Sequence, residues 1–326
     1  MPHPDPRPTV SVVLLVGTVR HRAERCLAAV LAQDDPPEEV LVLDVASDAP
    51  PLAGSDRPRV RRIALPPDTV FGAARALGAR EARSQVVAFV EEHAAPCPGW
   101  LAATRRAFGS GLSGIGPLVL NANPGVGFSN LTYALGYGLF RAAVDRRPTL
   151  WIPSHNSAFR RAALLELGHA LPELLGSENV LRQVLWKRGH RFAMEPDARI
   201  LHWNECWIRG TPMLYFHYHR TAAAAERAHL PERRLRRLMI TLGWPLIPFY
   251  SWLLLDRRLR RHRREDRPIQ RGEVLRRLPT LLRVYLLGAA GRALGNLGWA
   301  GRSAQRFTTY ELTLPRDAAD LHAAQA

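Results

Sequence analysis

Residues 86–100 read VVAFVEEHAAPCPGW. Val86, Val87, Ala88 and Phe89 form a short apolar run rich in β-branched and aromatic side chains, the signature of a buried strand. The run turns polar at Glu91, Glu92 and His93. Ionisable groups at the carboxyl end of a buried strand sit where open α/β sheets bind ligands. Pro98 then stands near the first turn of a helix opening at Trp100, a position proline favours. Glu91 and His93 are two apart on extended backbone, so their heads can point the same way and share one cation. A solvated strand end is the plain alternative.

Toward the N-terminus, Val10 to Val16 reads as a first buried strand closed by Gly17. His21 to Gln33 has helical spacing in Ala23, Cys26, Leu27, Val30 and Leu31, and is stopped at Asp34-Asp35-Pro36-Pro37. Glu39 to Leu43 is a second strand with Asp44 at its carboxyl end, Val60 to Leu65 a third, and Phe71 to Arg83 an alanine-rich helix. Past Trp100 the spacing predicts a helix to Phe108, a strand over Ile115 to Leu120 and an aromatic helical stretch over 128–144. Helices follow over Arg160 to Leu167 and Glu178 to Arg188, then two closing strands, His190 to Glu195 and Ala198 to Trp203. This rhythm is that of a mainly parallel sheet wound with helices. Residues 1–8, Pro-rich and polar, are expected to be a disordered tail without a secretory signal.

The chain has 326 residues, with 45 basic against 29 acidic side chains and a net charge of +16. Lys187 is the sole lysine. Such a surplus suits polyanions, acidic membranes or phosphorylated substrates. Cys26, Cys97 and Cys206 are odd in number and have no metal-ligand spacing, which argues against a disulfide framework and a cysteine zinc site. Composition shifts near residue 210, dividing a domain over 9–209 from a basic and apolar region over 210–326.

In order, SVVLLVGTVRHRAERCLAAVLAQ, EEVLVLDVASD, FGAARALGAREARSQVVAFVEEHAAPCPGW, IPSHNSAFRRAALLELG and SENVLRQVLWKRGHRF resemble the successive motifs of the family 2 glycosyltransferases. The resemblance covers about residues 9–205. It implies a GT-A fold and transfer of a sugar from a nucleotide-diphosphate sugar, with inversion, to a saccharide or lipid-linked acceptor in envelope glycan synthesis. A divalent cation, Mn2+ or Mg2+, would neutralise the departing diphosphate, and a carboxylate would take the acceptor proton.

By the same resemblance, Asp44, Arg75 and Glu92 fall at donor-binding positions, with Val45 and Ala76 departing from the family's Asp and Asn. Glu91 and His93 occupy the acidic metal motif, His202 matches a histidine sometimes used as a ligand, and a nitrogen donor suits Mn2+ better than Mg2+. His155 and Asn156 lie in the acceptor-side segment. The family's usual Glu-Asp is Glu178-Asn179 here. Asn takes no proton at neutral pH, so Glu178 becomes the candidate base. Each residue also has a structural reading: a turn-capping Asp44, a solvated Arg75, helix-capping His155 and Asn156, a dipole-favoured Glu178, a core His202. The losses at residues 45, 76 and 179 also admit a non-catalytic nucleotide-sugar or glycan-binding descendant.

Beyond residue 210, arginine pairs bracket an uncharged stretch of 18 residues, Leu238 to Leu255. As a helix it reaches about 27 Å, against a hydrocarbon core of about 30 Å, and Gly243, Pro245 and Pro248 would break it. On a helical wheel Leu275, Leu278, Leu282, Tyr285, Leu286, Ala289 and Ala293 share a face. These features predict a peripheral or monotopic protein on an anionic, cytoplasmic membrane surface, with a soluble helical subdomain as the alternative. Nucleic acid is not expected as a partner, because the densest arginine pairs flank apolar segments rather than interleave with aromatics.

Overall fold

A computed structural model describes residues 7–137, 140, 146–153, 155–207, 209–251, 253, 276–317 and 320. The chain divides into two compact units. The first comprises Met1–Leu120 and Ala143–His202, the second Asn121–Ala142 and Trp203–Ala326.

The first unit is built on strands β1 (Val10–Val16), β2 (Glu39–Asp44), β3 (Val60–Ala64), β4 (Val86–Glu91), β5 (Ala94–Pro96), β6 (Gly114–Asn121), β7 (Ala158–Arg160) and β8 (Phe192–His202). They form one sheet in the order β3-β2-β1-β4-β7-β6-β8-β5. The first four run parallel. β7 is antiparallel to β4 and β6, and β5 to β8. The fold is therefore the expected α/β class, with its parallel strands gathered on one side. β1 and β4 are buried along their whole length. Helices cover both faces of such strands, which is why they read as continuous apolar runs rather than alternations.

Helix α1 (Arg20–Leu31) supplies Ala23, Cys26, Leu27 and Val30 to one face, packed on Val10, Val12, Leu14 and Val16 of β1. Helix α3 (Trp100–Phe108) adds Trp100, Leu101 and Phe108 to the same core. On the opposite face α2 (Phe71–Glu81) lies close to the sheet, because a Cβ at Gly78 would fall 2.6 Å from a methyl of Val13. Its first turn touches backbone: a Cβ at Gly72 would lie 2.1 Å from the Pro172 carbonyl oxygen of α6 (Leu171–Leu175). α5 (Arg161–Leu165) and α7 (Glu178–Lys187) complete the unit.

Three elements differ from the sequence reading. Ala158–Arg160 is a strand before a helix that starts only at Arg161. The two closing strands are one strand of 11 residues that runs through Pro196. Ala94–Pro96, between the polar end of β4 and the helix at Trp100, is a separate strand. Of the expected tail, Arg7 and Pro8 are described: Pro8 is buried and its carbonyl accepts from Arg105 Nη1 at 2.6 Å. Residues 1–6 lie outside the described residues.

The second unit contains α4 (Ser129–Gly136), α8 (Thr211–His229), α9 (Arg234–Leu242), α10 (Leu278–Asn296) and α11 (Ser303–Thr313). Asn123 is tied into it, donating to the Asn204 and Arg316 carbonyls at 2.8 and 2.5 Å and accepting from Asn204 N at 3.0 Å. Arg316 is wholly buried and ion-paired with Glu205 and Glu311. α8 and α10 meet backbone to backbone. A Cβ at Gly291 would lie 2.2 Å from the Phe216 carbonyl oxygen, and one at Gly295 would lie 2.3 Å from that of Arg220.

This packing corrects the helical-wheel reading of α10. Ala289 and Ala293, placed on a surface face, are buried, while Leu282 and Leu286 remain exposed. The expected break of the apolar stretch is observed, with α9 ending at Leu242 and Gly243 capping it. Trp252, Leu254, Leu255, Leu275 and the arginine pairs over 257–264 lie outside the described residues. Among the described residues no helix is long and apolar enough to cross a membrane.

Gly72→Ala is expected to destabilise the first unit. Ala is normally better than Gly in a helix by about 1 kcal/mol, but here its methyl meets a backbone carbonyl that cannot rotate away. A net loss of about 1–3 kcal/mol is expected, as for overpacked cores. Urea unfolding should show a lower midpoint at unchanged slope; an unaltered midpoint would mean that α2 is free to lift.

Candidate functional site

β4 ends at Glu91, and the chain re-enters the sheet at Ala94. Because β5 pairs with β8 in the register Ala94↔His202, the residue before β5 and the end of β8 are brought together. His93 and His202 consequently stand edge to face, with ring centroids 4.8 Å apart. Glu91, His93 and His202 each offer one ligand atom, all within 4.8 Å of one another, and all three residues are buried. The structure thus assembles the three residues singled out as metal ligands.

A buried carboxylate needs compensation, and Glu91 receives it from several sides. His202 Nε2 lies 3.2 Å from Oε2, and His93 Nε2 3.7 Å from the same oxygen. His155 Nδ1 lies 2.9 Å from Oε1. Asn156 Nδ2 donates to Oε2 at 2.7 Å, while its Oδ1 accepts from the Glu91 backbone N–H at 2.9 Å. Burial alone would raise the carboxyl pKa. The charge and hydrogen bond of His155, followed by His202 and His93, overturn that and hold it well below the usual range.

Asn156 adopts φ 64°, the one positive-φ non-glycine among the described residues. Left-handed backbone outside glycine costs free energy and clusters at functional sites. Here it aims a buried amide at both the main chain and the side chain of Glu91. Expected on the acceptor side, Asn156 makes these contacts behind the carboxylate.

His155 bridges two acids. Its Nε2 lies 3.1 Å from Glu178 Oε2, at the first turn of α7. Burial pushes the imidazole down, but Glu178 and Glu91 outweigh it and raise its pKa to about 9, so the bridge is an imidazolium at neutral pH. Arg75, on α2, pairs with Glu178 Oε1 and stacks over Phe71 at 4.0 Å from the ring centroid. Asn179 is exposed, and its amide oxygen accepts from Arg182.

Asp44 has other neighbours. Arg20 grips both its oxygens, at 3.0 and 3.1 Å; Arg62 Nε donates to Oδ2 at 2.9 Å, and Ala46 N to Oδ1 at 3.0 Å. A carboxylate has about four acceptor positions, and these four donors fill them. Burial favours the neutral acid, but Arg20, Ala46 and Arg62 more than offset it and lower the pKa. Asp44, expected to accept from a base or ribose, here accepts from Arg20, Arg62 and the Ala46 N–H. Glu92 is also buried, and accepts from Gly17 N at 2.7 Å.

Arg20 and Arg62 were not singled out from sequence. Arg62 shares a face with the carboxylate only through its register with Val42, two residues before Asp44, which the sequence does not print. Arg20 likewise had no signal in so arginine-rich a chain.

The Asn156 amide holds Glu91 in place, and a Mn2+ titration tests whether that bears on a cation at Glu91, His93 and His202. Asn156→Ala is expected to weaken Mn2+ binding by about 10–100-fold, the usual effect of losing an outer-shell partner. Asn156→Gly, which relieves the backbone and also removes the amide, should weaken it equally in a Mn2+ titration. Wild-type affinity in the glycine variant would show the amide to be idle.

The family model described as glycosyl transferase family 2 matches residues 11–168. That stretch contains Asp44, Arg75, Glu91, Glu92, His93, His155 and Asn156; Glu178 and His202 lie beyond it. No curated protein matches the chain. Among solved structures, GalNAc-T7 with UDP, GalNAc and Mn2+ is 17% identical, covering 60% of this chain and 43% of that one at a TM-score of 0.47. The chain thus spans less than half the length of GalNAc-T7. The mannosyltransferase PcManGT from Pyrobaculum calidifontis, in complex with GDP-Man and Mn2+, is 18% identical, covering 90% of this chain and 89% of that one at a TM-score of 0.48.

Proposed function

Over residues 11–168 the chain belongs to glycosyl transferase family 2, and from that premise we propose that it is an active, inverting enzyme. It moves a sugar from a nucleotide-diphosphate donor to a saccharide or lipid-linked acceptor of the cell envelope. The observation that carries this reading is the bridge from Glu91 through His155 to Glu178, which joins a cluster of cation ligands to a buried carboxylate.

Glu91, His93 and His202 fit a first-row divalent cation, since two imidazole nitrogens and one carboxylate suit Mn2+ better than Mg2+. Such a cation, when bound, supplies positive charge for the leaving diphosphate. Arg75 and protonated His155 are further cations beside it, and a planar guanidinium suits two phosphate oxygens.

Glu178 is the proposed base. It takes the acceptor hydroxyl proton as that oxygen bonds to the anomeric carbon and the bond to the diphosphate breaks. In the free protein both its oxygens are paired, one with Arg75 and one with His155. A donor diphosphate competes for the same cations, so donor binding is the event that frees Glu178. Asn179, bonded to Arg182, takes no part in proton transfer.

Two measurements test this. Glu178→Gln keeps size and polarity but removes the proton acceptor. Transfer should fall by about 10²–10⁴-fold, the usual cost of losing a general base, with donor binding retained. Near-normal turnover would place the base elsewhere. Titration calorimetry of a nucleoside diphosphate with and without Mn2+, on wild type and His93→Ala, should show a metal-dependent gain in the wild type only. Identical affinities in all four titrations would remove the metal role.

A further inference from the structure

Helix α9 is turned inside out. Leu235, Leu238, Met239 and Leu242 are spaced i, i+3, i+4 and i+7, which puts them on one face. That face points to solvent, with exposures of 71%, 53%, 67% and 74%. Two of its arginines reach back to their own unit, while Arg234 stays exposed. Arg236 Nη1 pairs with the buried Glu226 at 2.8 Å, and Arg237 Nη1 donates to the Leu230 carbonyl at 2.7 Å. A helix at home in water does the reverse.

The apolar surface continues past the helix. After Gly243 the chain turns through Trp244–Leu246, and Leu246, Phe249 and Tyr250 are each more than 60% exposed. α10 packs against α9 and against this turn, held by Asn296 Nδ2 donating to Thr241 Oγ1 at 3.0 Å, and it exposes Leu282 and Leu286. Contiguous apolar surface of this kind marks an interaction site.

Charge selects the occupant. Residues 226–251 and 276–299 carry nine arginines (227, 233, 234, 236, 237, 276, 277, 283 and 292) against Glu226 and Glu232. A second copy of this chain would bring the same surplus to the interface and be repelled, whereas an acidic lipid surface attracts it. Nine residues of helix span about 14 Å, half of a hydrocarbon core. The segment therefore lies in the interface, with Trp244 and Tyr250 of the side-chain type that favours headgroup depth. We infer that α9 and the turn after it dock the protein on an anionic bilayer, with Leu235, Leu238, Met239 and Leu242 inserted among the acyl chains and the exposed Arg234 and Arg283 on lipid phosphates.

The test is sedimentation of the full chain with vesicles of phosphatidylcholine alone or mixed equally with phosphatidylglycerol. Wild type should pellet with the mixed vesicles, much less with the neutral ones, and less as salt rises. Leu238→Glu with Leu242→Glu places two charges on an exposed face and should leave thermal unfolding unchanged. It should weaken vesicle binding by roughly a hundredfold or more, from two lost leucine burials. Wild type that stays in the supernatant with mixed vesicles, or a double variant that binds as tightly, would overturn the proposal. So would a wild-type dimer that the double variant dissociates, with no vesicle binding, since the face would then belong to a second copy.

Discussion

The Glu91 carboxylate is buried, and it stays ionised. That single constraint organises its neighbourhood, because an unpaired buried charge costs several kcal/mol. It requires β5 to pair with β8, so that His93 and His202 stand beside it. It requires a strained Asn156 to hold its backbone and its head together. It also requires a protonated His155, which in turn has Glu178 on its other nitrogen. The cluster is one electrostatic unit. A change in charge at any member is felt by the others through distances of about 3 Å, where low dielectric makes such coupling strong.

Much of this was legible in the sequence, for identifiable reasons. β1 and β4 were readable because strands buried on both faces are unbroken apolar runs. α1 was readable because Ala23, Cys26, Leu27 and Val30 repeat at helical spacing. Glu91, His93 and His202, which the structure brings together, were named as one group, although His202 lies more than a hundred residues from the other two. What stayed hidden depends on register. β5 is three residues long and ends in proline, too short for any periodicity, yet its pairing is what sets His93 against His202. β8 passes through Pro196, a residue that reads as a break but is tolerated in strands at edges and bulges. The donors that fill Asp44 come from α1, β3 and the loop after β2, so no local pattern could show that its acceptor positions were already taken.

The second unit illustrates the limit of a helical wheel. The apolar residues of α10 divide between a face packed on α8 and two leucines left outside, and glycine, which a wheel counts as nothing, decides the division. In α9 the spacing of Leu235, Leu238, Met239 and Leu242 puts them on one face, but spacing is silent on whether that face points in or out. Glu226 settles that: buried and paired with Arg236 and Arg292, it draws the arginine side of the helix inward.

The backbone contact between α8 and α10 has a mechanical meaning. Packed helices slide past one another by small steps when interdigitated side chains switch rotamers, the basis of shear motion. At Gly291 and Gly295 there is no such layer: peptide rests on peptide, and nothing there can change rotamer. These two helices therefore move as one rod. Compliance in this unit has to come from bending where a helix stops, and the Gly243 turn beyond α9 is such a place.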